Sequence, residues 1–330
     1  MTTTRVLMSG CWLGLTDPKG YVCPLGADIQ GVARRELRED ESARGQALRQ
    51  LQDWISKNRD LHNCRTDPCF LLRFLRVKKF SVPMAQQMLL KYLYMRQMLP
   101  HLCLKLDFLS PAVNEIIENG YVFPSPVRDR HGRRVVLTFA NRFDPYKHDN
   151  KEMAKAHMVT YETLLEDEEC QVMGFTHVGD LRGVSAAHVT LWSPREFTTL
   201  IRWGEQSYPM RHKEIHLVNV PTALRYVYDF ARSRFSNKMR TRFMIHNSIE
   251  ELHQKIDPQI LPKEMGGDIP MKEMIEAWKH ELLAKRERLL ALDDMKLLDP
   301  KDIKSTSTKT SKQSVDGNAL SGSFRKLEVD

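Results

Sequence analysis

Eight basic residues crowd the stretch from Pro209 to Arg242: Arg211, Lys213, Arg225, Arg232, Arg234, Lys238, Arg240 and Arg242. Only Glu214 and Asp229 oppose them, so the segment carries a local charge of +6. Leu224, Tyr226, Tyr228, Phe230 and Phe235 are interleaved with the cations. This mixture suits anion binding beside an apolar surface, not proton transfer or nucleophilic attack. A solvated basic face is the bland alternative. The whole chain carries +8 with a pI near 9.1, which a nucleic acid or an anionic membrane would satisfy equally.

Enzyme signatures are sparse. Gly183-Val184-Ser185-Ala186-Ala187 lacks the second glycine of a nucleophile elbow. No phosphate loop, no dinucleotide fingerprint and no H-E-x-x-H occurs. The histidines fall on separate elements, so no metal spacing can be read, and no cofactor is expected. The acidic run Glu166-Asp167-Glu168-Glu169 reads as a solvated helix end. Cys11, Cys23, Cys64, Cys69, Cys103 and Cys170 show no C-x-x-C pair, which points to reduced thiols. No apolar run approaches the ~20 residues needed to span a bilayer. Val6 to Leu15 only weakly imitates a signal peptide and is not expected to act as one.

The elements that must position these residues follow from periodicity. A hydrophobic fraction of 42% is enough for a core. Gln30 to Asn58 reads as helical, followed by a short amphipathic helix at Pro68–Phe80 and another from Ser81 to about Met98. Beyond residue 130, strands alternate with helices. The strands are 135–139, 172–180, 215–219 and 243–246; the helices are 151–166, 194–206, 222–234 and 271–298. Strands separated by single helices imply crossovers and a mostly parallel sheet, hence an α/β fold. The expected organisation is a flexible N-terminus (1–28), a helical unit (29–105), an α/β domain (106–285), and a helix end with a disordered tail (286–330).

Four motifs occur in order: Leu71-Leu72-Arg73-Phe74-Leu75-Arg76-Val77-Lys78-Lys79-Phe80; Asp180-Leu181-Arg182-Gly183; Tyr208-Pro209 with Ile215 to Pro221; and Ile260-Leu261-Pro262-Lys263-Glu264-Met265-Gly266-Gly267. Over residues 30–285 the chain resembles the CRAL-TRIO lipid-binding family, in its tocopherol-transfer and retinaldehyde-binding branch. The resemblance implies a helical unit ahead of an α/β domain whose sheet floors an apolar cavity closed by a mobile helical lid. It implies a non-enzymatic role.

Alternation along the strands places Phe175, His177 and Gly179 on the cavity wall, with Tyr208, Met210, Ile215 and Leu217 nearby. The resemblance adds His157, Met158, Tyr161, Trp192, Leu200 and Trp203. His157 and Tyr161 stand where tocopherol binders carry small hydroxyl residues. They and Trp203 would shorten the cavity and add donors for a polar head, unless they are satisfied structural groups. Helical spacing puts Leu224, Val227, Tyr228, Ala231 and Phe235 on one face of the lid, with Tyr226 and Phe230 elsewhere. Lys78, Arg211, Lys213, Lys238 and Arg242 match, by resemblance, a cluster that holds phosphoinositide head groups.

The expected partners are a small hydrophobic ligand, tocopherol- or retinoid-like, and phosphoinositide membranes met from the surface. The expected protein is a cytoplasmic monomer that does not bind nucleic acid. A protein-interaction adaptor, a phosphatidylinositol-type exchanger, and an enzyme around His157, Tyr161 and Asp180 are the competing readings.

Overall fold

A left-handed residue splits the first helical run in two. In the computed structural model, which describes residues 21–222 and 225–298, α1 (Ala27–Leu37) ends where Arg38 takes φ 64°. Asp40 then caps α2 (Glu41–Lys57), accepting from the Ala43 amide at 2.8 Å. The continuous helix read over Gln30–Asn58 is therefore corrected to two. Their charged junction supplies the turn. Most of the N-terminal segment, the lid residue Leu224 and the tail beyond Leu298 lie outside the described residues.

A short β1 (Leu61–His62) leads to α3 (Pro68–Val77), α4 (Val82–Met98) and α5 (Pro100–Cys103). Asp67 caps α3, and prolines open all three helices, where their missing N–H is harmless. After α6 (Pro111–Glu118) come β2 (Val122–Arg128), β3 (Arg134–Phe139), α7 (Asn150–Leu165), α8 (Glu168–Met173) and β4 (Phe175–Asp180). Next are α9 (Ala186–Thr190), α10 (Pro194–Ser207), β5 (His212–Val218), α11 (Arg225–Arg234), α12 (Asn237–Arg240) and β6 (Phe243–His246). The chain closes through α13 (Ile249–His253), α14 (Met271–Leu290) and β7 (Lys296–Leu297), which pairs with β1.

The main sheet runs β2-β3-β4-β5-β6, parallel except for the antiparallel edge β2. Sequence reading missed β2, because Pro124 and Pro126 argue against a strand. An edge strand tolerates them, since one side of its backbone needs no ladder. Val172 and Met173 belong to α8, not to the strand after them. Gly174 (φ 82°) makes the break, and a Cβ there would meet the Arg211 carbonyl at 2.6 Å. Only glycine fits, in both conformation and space. The last long helix stops at Leu290, eight residues before the expected Leu298.

The acidic run Glu166–Glu169 is not a solvated helix end. Glu166 and Glu168 are buried. Arg73 of α3 is also buried and reaches Glu162 at 2.8 Å and Glu166 at 2.7 Å. Arg65 and Arg288 bind the same Glu166. Arg76 pairs with Glu39 at 2.8 Å and Glu168 at 3.0 Å. The two arginines of the Leu71–Arg76 motif thus bolt the helical unit to α7 and α8. The described residues form one compact unit. Among the described residues no helix is long and apolar enough to cross a membrane, and no disulfide forms.

Candidate functional site

α4, α5, α7 and α10 enclose an apolar cavity of about 300 Å3. α10 is held in place by a capping box: the Ser193 hydroxyl accepts from the Glu196 amide, and the Glu196 carboxylate accepts from the Ser193 amide. Of the residues expected on the wall, His157, Met158, Tyr161, Trp192, Leu200, Trp203 and Tyr208 line this cavity. The wall also takes Met95, Leu99, Leu102 and Cys103, which sequence reading did not assign. Their spacing of four and three residues marks a common apolar side, but no local signal says which cavity that side meets. Trp203 packs at a tilt against Tyr94 with ring centroids 5.7 Å apart.

Phe175, His177, Gly179, Met210, Ile215 and Leu217 do not line it. Phe175 and Met210 are buried in the core. His177, Gly179, Ile215 and Leu217 lie on one sheet face by register and alternation. A Cβ at Gly179 would approach the Leu217 side chain at 2.8 Å, so glycine makes room for that leucine. His177 does touch two residues of the cavity wall. It meets the Tyr161 ring edge-on at 5.9 Å, and its Nε2 lies 2.8 Å from Nδ1 of the cavity residue His212.

The polar groups here are neutral. His157 Nε2 lies 3.2 Å from the Tyr121 hydroxyl, and its Nδ1 has no partner. Burial lowers the pKa of His157 to about 4, and burial with the nearby Arg242 charge does the same to His212. Both values lie below the ordinary 6.5, so the unfolded chain binds protons that the folded chain refuses. This stabilisation is complete above pH 6.5 and falls as pH drops toward about 4. Thermal melts should therefore show stability falling between pH 6.5 and roughly 5, above the carboxylate range. His212→Asn should flatten that slope, and an unchanged slope would refute the assignment.

The expected lid residues Val227, Tyr228 and Ala231 fall on α11 and Phe235 just after it, and none of them lines the cavity. Val227, Tyr228, Ala231 and Phe235 are half-buried, and Tyr226 is 71% exposed. The Tyr228 and Phe235 rings pack on Phe243 of β6 at 5.5 and 5.2 Å. The Ser236 amide donates to Glu205 of α10 at 3.1 Å, which ties the segment after α11 to α10.

The five expected head-group cations come from three parts of the chain. After α3, Lys79 and Phe80 take φ 49° and 60°, and the reversal ends the helix at Lys78. Burial, then repulsion from Lys91 and Lys238, holds the Lys78 ammonium below its usual range. Burial, then Arg242, Lys79, Arg211 and Lys213, does the same to Lys238. Burial, then Arg211 and Arg133, acts on Arg242. These repulsions link the five as like-charged neighbours. Arg211 and Lys213 both bond Glu36 of α1, at 2.7 and 2.8 Å. Lys78, Lys238 and Arg242 make no ion pair among the described residues, although Arg242 also donates to the His212 carbonyl. The Asp180–Gly183 motif, by contrast, is structural. Asp180 accepts from the Arg182 guanidinium at 2.7 Å and the Asn219 amide at 2.9 Å, tying β4 to the end of β5.

Residues 118–267 match the family described as CRAL/TRIO domain, and residues 40–113 match Pinta-like, UBA domain. A human protein named alpha-tocopherol transfer protein-like is 32% identical over 253 residues, 76% of this chain and 73% of the relative. The chain belongs to the CRAL/TRIO family. Clavesin-1 of Rattus norvegicus, another similar protein, is 30% identical over 260 residues, 78% of this chain and 73% of the relative. The crystal structure of Sfh5 superposes with a TM-score of 0.51 over 76% of this CRAL/TRIO chain and 99% of that one. Its 15% identity speaks for the fold alone. The mostly parallel CRAL/TRIO sheet and the preceding helical, UBA-like region agree with the fold class expected from the residues.

Proposed function

We propose that this chain is a non-enzymatic lipid-binding protein that carries a small hydrophobic molecule, tocopherol- or retinoid-like. It exchanges that molecule at phosphoinositide-bearing membranes, acting from the cytoplasm as a peripheral, reversibly bound monomer. Membership of the CRAL/TRIO family supports lipid binding in general. The name of the human relative favours a tocopherol-like ligand. One observation carries the finer reading. His212 lines the cavity, while its neighbours Arg211 and Lys213 belong to the cationic cluster. One strand thus joins the apolar site to the charged one, with α11 beside both.

In this reading the cations hold the head group, α11 swings away with Tyr226 toward the acyl chains, and the ligand leaves. Differential contact of the open state with the membrane supplies the driving force. The space of about 300 Å3 sits at the small end of ligand pockets, so a larger ligand would need that opening to be loaded. The test is transfer of a fluorescent tocopherol or retinoid analogue between vesicles. Transfer should run several times faster into acceptors that contain a phosphoinositide. Failure to bind either analogue, or a rate indifferent to the head group, would overturn the reading.

A further inference from the structure

We propose that Glu36 is a specificity residue of the cationic cluster: a built-in counter-anion that holds a second phosphate subsite closed. This rests on reading the cluster as a phosphoinositide site. The cluster divides by its partners. Lys78, Lys238 and Arg242 have no carboxylate among the described residues and form an open subsite. Arg211 and Lys213 are occupied, because a single oxygen of Glu36 accepts from both, at 2.7 and 2.8 Å.

Glu36 is not needed there for the fold. Its side chain is 45% exposed, and ion pairs at that exposure contribute little to stability. It also sits in the last turn of α1, where the helix dipole disfavours an acid and where Arg34 and Arg35 are the favoured types. The sequence therefore places a carboxylate against local preference, and the compensation comes from Arg211 and Lys213, far away in the chain. Arg211 is further fixed by donating to the Val172 carbonyl, so it stays in position when Glu36 leaves.

A first phosphate bonds the open subsite without displacing anything. A second phosphate reaches Arg211 and Lys213 only by replacing the Glu36 carboxylate, which has already satisfied their strongest hydrogen bonds. Glu36 thus damps affinity for doubly phosphorylated head groups and leaves singly phosphorylated ones almost untouched.

The experiment uses the full chain and phosphatidylcholine vesicles doped with phosphatidylserine, a singly phosphorylated phosphoinositide or a doubly phosphorylated one. Glu36→Gln should raise affinity for the doubly phosphorylated lipid about threefold to tenfold, and for the singly phosphorylated lipid by less than about twofold. Glu41→Gln removes the same charge from an exposed position on α2 and should leave both nearly unchanged. Glu36→Ala should repeat the Gln result if the carboxylate is what matters. Equal gains for both lipids, equal gains in Glu41→Gln, or no gain at all would overturn the inference while leaving the docking site intact. If the wild-type chain binds phosphoinositide vesicles no better than phosphatidylserine vesicles, the docking reading falls and the Glu36 inference falls with it.

Discussion

Arg73→Met is expected to cost about 3–5 kcal/mol of folding stability, the range for breaking a buried ion pair from one side. Arg73 is fully enclosed and forks onto Glu162 of α7 and Glu166, the residue that ends it. Methionine keeps the apolar stem and removes the charge. Glu162 would then retain the Tyr92 hydroxyl at 2.7 Å, and Glu166 would rely on Arg65 and Arg288. Chemical denaturation checks this, and a loss below about 1 kcal/mol would show that α3 is docked by packing alone. The pH dependence has a definite sign. Burial opposes ionisation of Glu166, but Arg73 and Arg65 override it and hold the carboxyl well below its ordinary 4.5. A depressed carboxylate contributes stability above its unfolded pKa and loses it as pH falls. The wild-type chain should therefore lose this contribution only below about pH 4.5, and Arg73→Met should show a smaller loss there.

Neutralising Lys78, Lys238 and Arg242 together, each to glutamine, should weaken docking on phosphoinositide vesicles by about a hundredfold. Each cation beside an anionic leaflet contributes about 1 kcal/mol, and three of them correspond to two decades in affinity. The fold should not suffer. None of the three has a carboxylate partner among the described residues, and burial, then repulsion, holds all three below their usual pKa. Removing that repulsion should leave thermal stability level or slightly higher. Vesicle sedimentation at low ionic strength reads the affinity, and added salt should shrink the difference between wild type and variant. Wild-type affinity in the triple variant would place docking elsewhere.

Much of the fold was legible because buried parallel strands read as short apolar runs bounded by breakers, as Ile215 to Pro221 does. Phe243–His246 falls where alternation put it. β2 was not legible, since its prolines are permitted only by its place at the sheet edge. The apolar half of the cavity was legible only through the resemblance, which supplied His157, Met158 and Tyr161. It was not legible for Met95, Leu99 and Cys103, because nothing local says that α4 and α5 face α10. Strand parity placed His177, Ile215 and Leu217 on a common face, but parity cannot say which part of that face a cavity touches.

The residue order by itself determined the family, the alternation of strands and helices, and the gathering of charge and aromatic surface between Pro209 and Arg242. These depend on local spacing and on ordered motifs, which a linear chain carries openly. Only the tertiary structure decided which charges are spent and which are free. Glu166 meets Arg73 across 93 residues, and Glu36 meets Arg211 across 175. Coulomb and hydrogen-bond energies depend on ångströms in space and on burial, and neither is written in sequence separation.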